Sequence, residues 1–220
     1  MKAISLWQPW ASLVVGGVKT VETRSWALPV PKPSPPVVRQ KFDAKTGLFN
    51  AVREGGRVEP VPLLIHAGKR WDLDLIKIAF EEDFVAGLLK CGYDFRYSAQ
   101  TGNYYERKAK DAFQRKGPGR LAVRRVLPLG CVVGRAWVLG CVGTDNVIWD
   151  DTMKAHWRAP GDGTIRIHPC QKPFGNFAPG RQAWAIVKTE KLKTPIPFRG
   201  GQGLFDVPDE LWERTLAGQA

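Results

Sequence analysis

Residues 1–26, MKAISLWQPWASLVVGGVKTVETRSW, decide how this chain reads. Lys2 to Trp7 reads as a short strand, Pro9 suits the first turn of a helix, and Gly16–Gly17 ends that helix in the left-handed conformation that glycine tolerates. A second strand starts near Lys19. Side chains alternate along a strand, so Thr20, Glu22, Arg24 and Trp26 share one face and Val21, Thr23 and Ser25 the other. With Lys19 at the turn beside it, the polar face offers a cation, a carboxylate, a guanidinium fork and an aromatic surface, a set suited to gripping a phosphate, a carboxylate or a base. The competing reading is a solvated edge strand on which Glu22 and Arg24 are surface neighbours.

Outward from this stretch, two segments read as insertions. Pro29 to Pro36 is too rich in proline for a regular element and is expected to run extended over the surface. Lys41 to Glu59, with Gly47, Gly55 and Gly56 among charged residues, reads as a loop or an exposed hairpin. Leu63 to Ala67 returns to a buried strand. From Trp71 to Leu89 the apolar positions Leu73, Ile76, Phe80, Phe84 and Leu88 recur near the helical period, with Asp72 or Asp74 near the start, and predict one helix packed on the sheet. Between Tyr93 and Arg125 cations and aromatics interleave: Arg96, Tyr97, Tyr104, Tyr105, Arg107, Lys108, Lys110, Phe113, Arg115, Lys116, Arg120, Arg124 and Arg125. Such cations neutralise phosphates while aromatic faces stack exposed bases; the alternative is a solvated insertion kept soluble by its charge.

Gly130 to Val142 and Gln182 to Leu192 read as long strands rich in Val, Ile, Ala and Trp. Before the second of these, Asn176 to Arg181 reads as a turn whose backbone amides can form an anion nest supported by Arg181. Arg199-Gly200-Gly201 reads as a turn ahead of a C-terminal helix near Pro208 to Leu216.

Composition bounds the function. The 220 residues carry a formal net charge of +12 and a pI near 9.8, which makes a polyanion, with nucleic acid first, the expected partner. No window approaches the roughly 20 apolar residues of a membrane span, and no signal-peptide core is evident, so a cytoplasmic protein without membrane contact, acting as a monomer, is expected. Cys91, Cys131, Cys141 and Cys170 show no C-x-x-C spacing. They are therefore read as reduced thiols, with Cys131 and Cys141 packing in strands, and no metal or cofactor is expected.

The pattern G-V-K-T-V-E-T-R, preceded by Q-P-W-A-S-L and followed by S-W, resembles the signature of the ASCH domain family, in the form of its bacterial and phage members. The resemblance returns at L-L-I-H-A (63–67), G-R-A-W-V-L-G-C-V (134–142), F-G-N-F-A-P-G-R-Q-A-W (174–184) and G-G-Q-G-L-F-D-V-P (200–208). It implies an α+β fold, a PUA-like, partly closed β-barrel with flanking helices. The chain would be a single domain over residues 1–220 with insertions near 30–60 and 92–126. It further implies a cleft bordered by Lys19, Glu22 and Arg24, with Trp10, His66, Arg181 and Trp184 as further candidates.

Three functions follow as expectations. The first is a module that binds RNA or single-stranded DNA. Arg24 clamps a phosphate, Glu22 orients Lys19 or accepts from a base, and Tyr104, Tyr105, Lys108, Arg115 and Arg124 track the strand. The second is a cleft enzyme, since the resemblance extends to an acetylcytidine amidohydrolase and a proposed ribonuclease. The amidohydrolase pattern has a Thr nucleophile where this chain has Glu22, and Thr23 faces away from Glu22. A metal-independent ribonuclease would draw its acid and base from Lys19, Glu22 and His66. The third is a protein-interaction module with a basic surface.

Overall fold

The structure, a computed structural model, describes residues 1–29, 37–43, 48–54, 60–93, 95–98, 103–106, 127–153, 157–158 and 164–217. Strand β1 (Lys2–Leu6) leads into helix α1 (Trp10–Val15) and strand β2 (Val21–Arg24). After the hairpin β3 (Val37–Asp43) and β4 (Leu48–Glu54) come strand β5 (Val61–Ala67) and helices α2 (Leu73–Ala79) and α3 (Glu82–Lys90). A second hairpin, β6 (Phe95–Ser98) and β7 (Asn103–Glu106), precedes the long strand β8 (Cys131–Gly143). Three short strands follow, β9 (Val147–Trp149), β10 (Trp157–Arg158) and β11 (Ile165–Ile167), and then a 3-10 turn at Pro169–Phe174. The chain closes with β12 (Gln182–Pro197), β13 (Leu204–Asp206) and helix α4 (Asp209–Ala217).

Six strands form one curled, half-barrel sheet in the order β13-β1-β5-β8-β12-β2. The curl is built into β12, whose pairing with β8 shifts register between Ala185 and Ile186, Ile186 and Lys188, and Lys191 and Ile196. Each shift adds local twist and bends the strand, which a flat ladder of this length would resist. β1 runs parallel to β5, and the remaining neighbours in the sheet are antiparallel.

Helix α1 is buried at every position from Ala11 to Val15 because it is covered from two sides. Ala11, Val14 and Val15 join Ile4, Leu6, Leu63, Ile65, Val133, Val138 and Trp184 inside the curl. Leu13 turns the other way, onto Phe84 and Leu88 of α3. The helix ends at Gly17, whose φ of +75° is where only glycine sits without strain. The convex face of the sheet is closed in two places. Ala3, Leu64, Val132 and Leu192 pack under Val207 and Leu211 of the C-terminal segment, and Val21, Ala183 and Ala185 pack under Ile165 and Ile167 of the small sheet β10-β11-β9.

The expected strands, the first helix and the C-terminal helix stand within two residues of the sequence reading, except that β12 continues to Pro197. Of the two readings of residues 41–59, the hairpin is the one observed, although its first strand begins at Val37. Both hairpins form two-stranded sheets of their own, off the half-barrel. Cys131 and Cys141 do lie in β8, and all four cysteines are free thiols.

The single helix expected over residues 71–89 is instead two. Asp72 caps α2, its Oδ1 accepting from Leu75 N at 3.1 Å. The helix then breaks at Phe80–Glu81, and Glu82 and Asp83 begin α3. Carboxylates in a first turn complement the helix dipole, so this acidic run favours a fresh N-terminus over a continuous helix. Among the described residues no helix is long and apolar enough to cross a membrane, and no group of His, Cys, Asp and Glu is arranged to hold a metal.

Candidate functional site

Lys19 lies in the turn between α1 and β2, a segment held from both ends. Val18 N and Lys19 N both donate to Leu13 O at 3.0 Å, closing the end of α1. From the far end of the chain, Gln171 clamps the same residues: its Oε1 accepts from Thr20 N at 2.9 Å and its Nε2 donates to Val18 O at 2.9 Å. This fixed turn aims the Lys19 side chain into the protein, where it is only 1% exposed.

The ammonium meets three oxygens: Val21 O at 2.6 Å, Phe174 O at 2.7 Å and Glu22 Oε2 at 3.3 Å. An ammonium has three hydrogens, so all of them are used. Burial pushes the Lys19 pKa down; Glu22 opposes that shift and Arg24 adds to it. Phe174 is itself anchored by edge-to-face contacts that run from Trp10 to Phe84 at 5.6 Å and from Phe84 to Phe174 at 5.2 Å. Trp10 therefore supports a carbonyl that holds Lys19 and belongs to the helix-side core.

Glu22 and Arg24 emerge from this anchorage. Glu22 stands directly across the ladder from Trp184, and Arg24 across from Gln182, so both point into the concave side of the sheet. Glu22 is 12% and Arg24 25% exposed. Arg24 Nε lies 2.9 Å from Glu22 Oε1 as an ion pair, and its N–H finds no aligned acceptor. Arg24 Nη2 donates to Ser5 O at 3.3 Å. β1 and β2 share no ladder, so this bond is a side-chain bridge between them. Trp184 is buried in the core at the back of the site, with Trp26 against it edge-to-face at 4.8 Å and accepting its indole N–H at 3.3 Å.

The other expected residues fall elsewhere. His66 alternates with Ile65 and Ala67 of the concave core and so points to the convex face, away from Glu22. There its Nε2–H donates to Phe198 O at 3.1 Å, and its Nδ1 accepts from Ser5 Oγ at 3.0 Å. Burial lowers its pKa, with Lys69 adding to the shift and the Phe198 bond opposing it.

Arg181 donates to Thr23 O at 3.4 Å and does not meet Glu22. The turn before it has its own acceptors: Ala178 N donates to Asn176 Oδ1, Gly180 N to Asp145 Oδ2 and Arg181 N to Thr144 Oγ1. Of these three amides, Gly180 N meets a carboxylate and the other two meet neutral oxygens. Thr23 faces away from Glu22, as expected, and accepts from Asn176 N at 3.0 Å. Tyr104 and Tyr105 lie on β7, in register with Tyr97 and Arg96; Lys108, Arg115 and Arg124 lie outside the described residues.

Sequence reasoning missed Gln171, Ser5 and the Phe174 carbonyl. Gln171 and Phe174 act on a turn some 150 residues earlier, and nothing local in Q-K-P-F marks them. No family model matches this chain, and no curated protein matches it.

Proposed function

We propose that this chain is an ASCH-type, PUA-like module that binds single-stranded nucleic acid, seating one unpaired base against Glu22 and Arg24 while its basic surface follows the phosphates. The observation that carries the reading is the saturation of Lys19, all three hydrogens of which are spent inside the protein. What remains accessible is a carboxylate, which only accepts, beside a guanidinium, which only donates. A phosphate at this spot would attract Arg24 and be repelled by Glu22. The edge of a base offers a donor next to an acceptor and satisfies both groups, which is how unpaired bases are read. Lys19 is then a positioning residue that holds the Glu22 carboxylate in place. The net charge of +12 supplies the sequence-independent attraction.

The test is retardation of labelled single-stranded RNA, single-stranded DNA and duplex DNA over a salt series, with fragment length read in the same lanes. Salt-sensitive retardation of intact single strands is expected, weakened about 5- to 150-fold by Arg24→Ala or Glu22→Gln, the range for losing one good base contact. Retention of full affinity by both variants would remove the base from this site. Shortened fragments that disappear with Glu22→Gln would make the protein a nuclease.

A further inference from the structure

The Trp7 side chain is 48% exposed. An indole left in water forgoes the gain of burial, yet this one is held in place. The Arg70 guanidinium lies 4.2 Å from the centre of its ring. Arg70 is in turn fixed by Asp72, with Nε 2.5 Å from Oδ2, and Asp72 is fixed as the cap of α2 through its other oxygen. Gly68 completes the seat, since a Cβ there would stand 3.2 Å from Trp7 Cδ1 and press on the ring. A relay of cap, ion pair and cation–π contact thus orients a ring that the hydrophobic core does not use.

Trp7 lies just past the end of β1, close in the chain to the carbonyl that holds Arg24. It follows Ser5 by two residues, and Ser5 O is the acceptor for Arg24. Two residues of chain keep the Trp7 backbone within roughly 7 Å of that carbonyl, a step that one nucleotide spans. Lys69 and Arg70, both exposed, add positive charge beside the ring.

Building on the base-binding reading of Glu22 and Arg24, we propose that Trp7 and Arg70 form a second subsite, which stacks the nucleobase next to the one held in the cleft. The indole supplies a sequence-tolerant face, and the two cations meet the intervening phosphate. Asp72 keeps Arg70 over the ring, so that the platform is preformed before a strand arrives.

The experiment is fluorescence anisotropy of a short labelled single-stranded oligonucleotide at fixed salt, with wild-type protein, Trp7→Ala, Trp7→Leu, Trp7→Phe and Arg24→Ala. The folded state of each variant is checked by circular dichroism. Trp7→Ala is expected to weaken binding about 5- to 150-fold, the range for losing one base stack. Trp7→Leu, which restores bulk without an aromatic face, is expected to be as weak as Trp7→Ala, and Trp7→Phe to recover much of the loss. On an oligonucleotide with a single base and otherwise abasic sugars, the difference between wild type and Trp7→Ala is expected to vanish. If Trp7→Ala binds as wild type while Arg24→Ala is weakened, the second subsite is overturned and the cleft reading stands. If wild-type protein binds no single strand, both fall. If Trp7→Leu restores full affinity, or Trp7→Ala weakens the abasic strand equally, the ring is not a stacking face and the proposal fails.

Discussion

Replacing Lys19 by Met separates a structural lysine from a ligand-binding one. The methionine nearly matches the buried stem in volume, so packing changes little, and what is lost is the ammonium. Its removal strands Phe174 O, Val21 O and a Glu22 carboxylate that is only 12% exposed. Breaking a buried charge pair from one side costs about 3–5 kcal/mol when the remaining charge is left uncompensated, an upper bound here because Arg24 still pairs with Glu22 Oε1. For a chain of this size that corresponds to a fall in Tm of about 6–20 °C. The double variant Lys19→Met/Glu22→Gln is expected to recover part of the loss, since an amide is cheaper to bury than a carboxylate. Urea unfolding followed by circular dichroism gives the stability, and anisotropy with single-stranded nucleic acid gives the affinity of the folded fraction. If Lys19→Met unfolds within about 1 kcal/mol of wild type and still loses nucleic-acid binding, Lys19 touches the ligand and the assignment of the accessible chemistry to Glu22 and Arg24 is refuted.

Gln171→Ala removes both ends of the clamp on Val18 and Thr20 and is expected to cost about 2–4 kcal/mol, measured by urea unfolding; a cost below about 1 kcal/mol would show that the turn holds itself. For His66, burial places the folded pKa below 6.5, so its contribution is complete above that pH and is lost as the pH falls from 6.5 toward the folded value, because the unfolded chain takes up the proton first. His66→Gln keeps a donor for Phe198 O without the titration. Its unfolding midpoint is therefore expected to fall less on acidification than that of wild type, and parallel curves would exclude the effect. Gly17→Ala places a side chain at φ +75° and is expected to cost about 1–2 kcal/mol in thermal unfolding, with Gly17→Asn costing less.

The strand–helix–strand of residues 1–26 was legible because period-two and helical spacing, a proline and a glycine all agree there. β8 and β12 were legible from their runs of Val, Ile, Ala and Trp. The break between α2 and α3 was also written, in Glu81-Glu82-Asp83, but an apolar stripe that continued across it masked the signal. The sequence places Lys19 at the turn beside the polar face of the second strand. Its burial depends on Phe174 and Gln171, whose approach no local pattern announces. His66 shows the limit of a motif match: L-L-I-H-A places it correctly on a buried strand, and only the register of β5 against β1 reveals which face it takes. The turn at residues 176–181 is legible as a turn, while Asp145 and Thr144, which accept from Gly180 N and Arg181 N, come from another part of the chain.

The position of β1 has a consequence for the order of events during synthesis. This strand sits between β5 and β13, and its first residues are tied to the far end of the chain by Lys2 to Asp206 at 2.8 Å and the Met1 amine to Asp209 at 3.1 Å. The partners that shape Lys19, Glu22 and Arg24, namely Gln171, Phe174 and β12, leave the ribosome more than 140 residues after them. At roughly 5–20 residues per second, a nascent chain carries these three residues for many seconds with no formed cleft. The geometry of the site therefore arrives only once β12 has emerged, and a ribosome-bound chain stalled before Gln171 would hold Lys19, Glu22 and Arg24 without it.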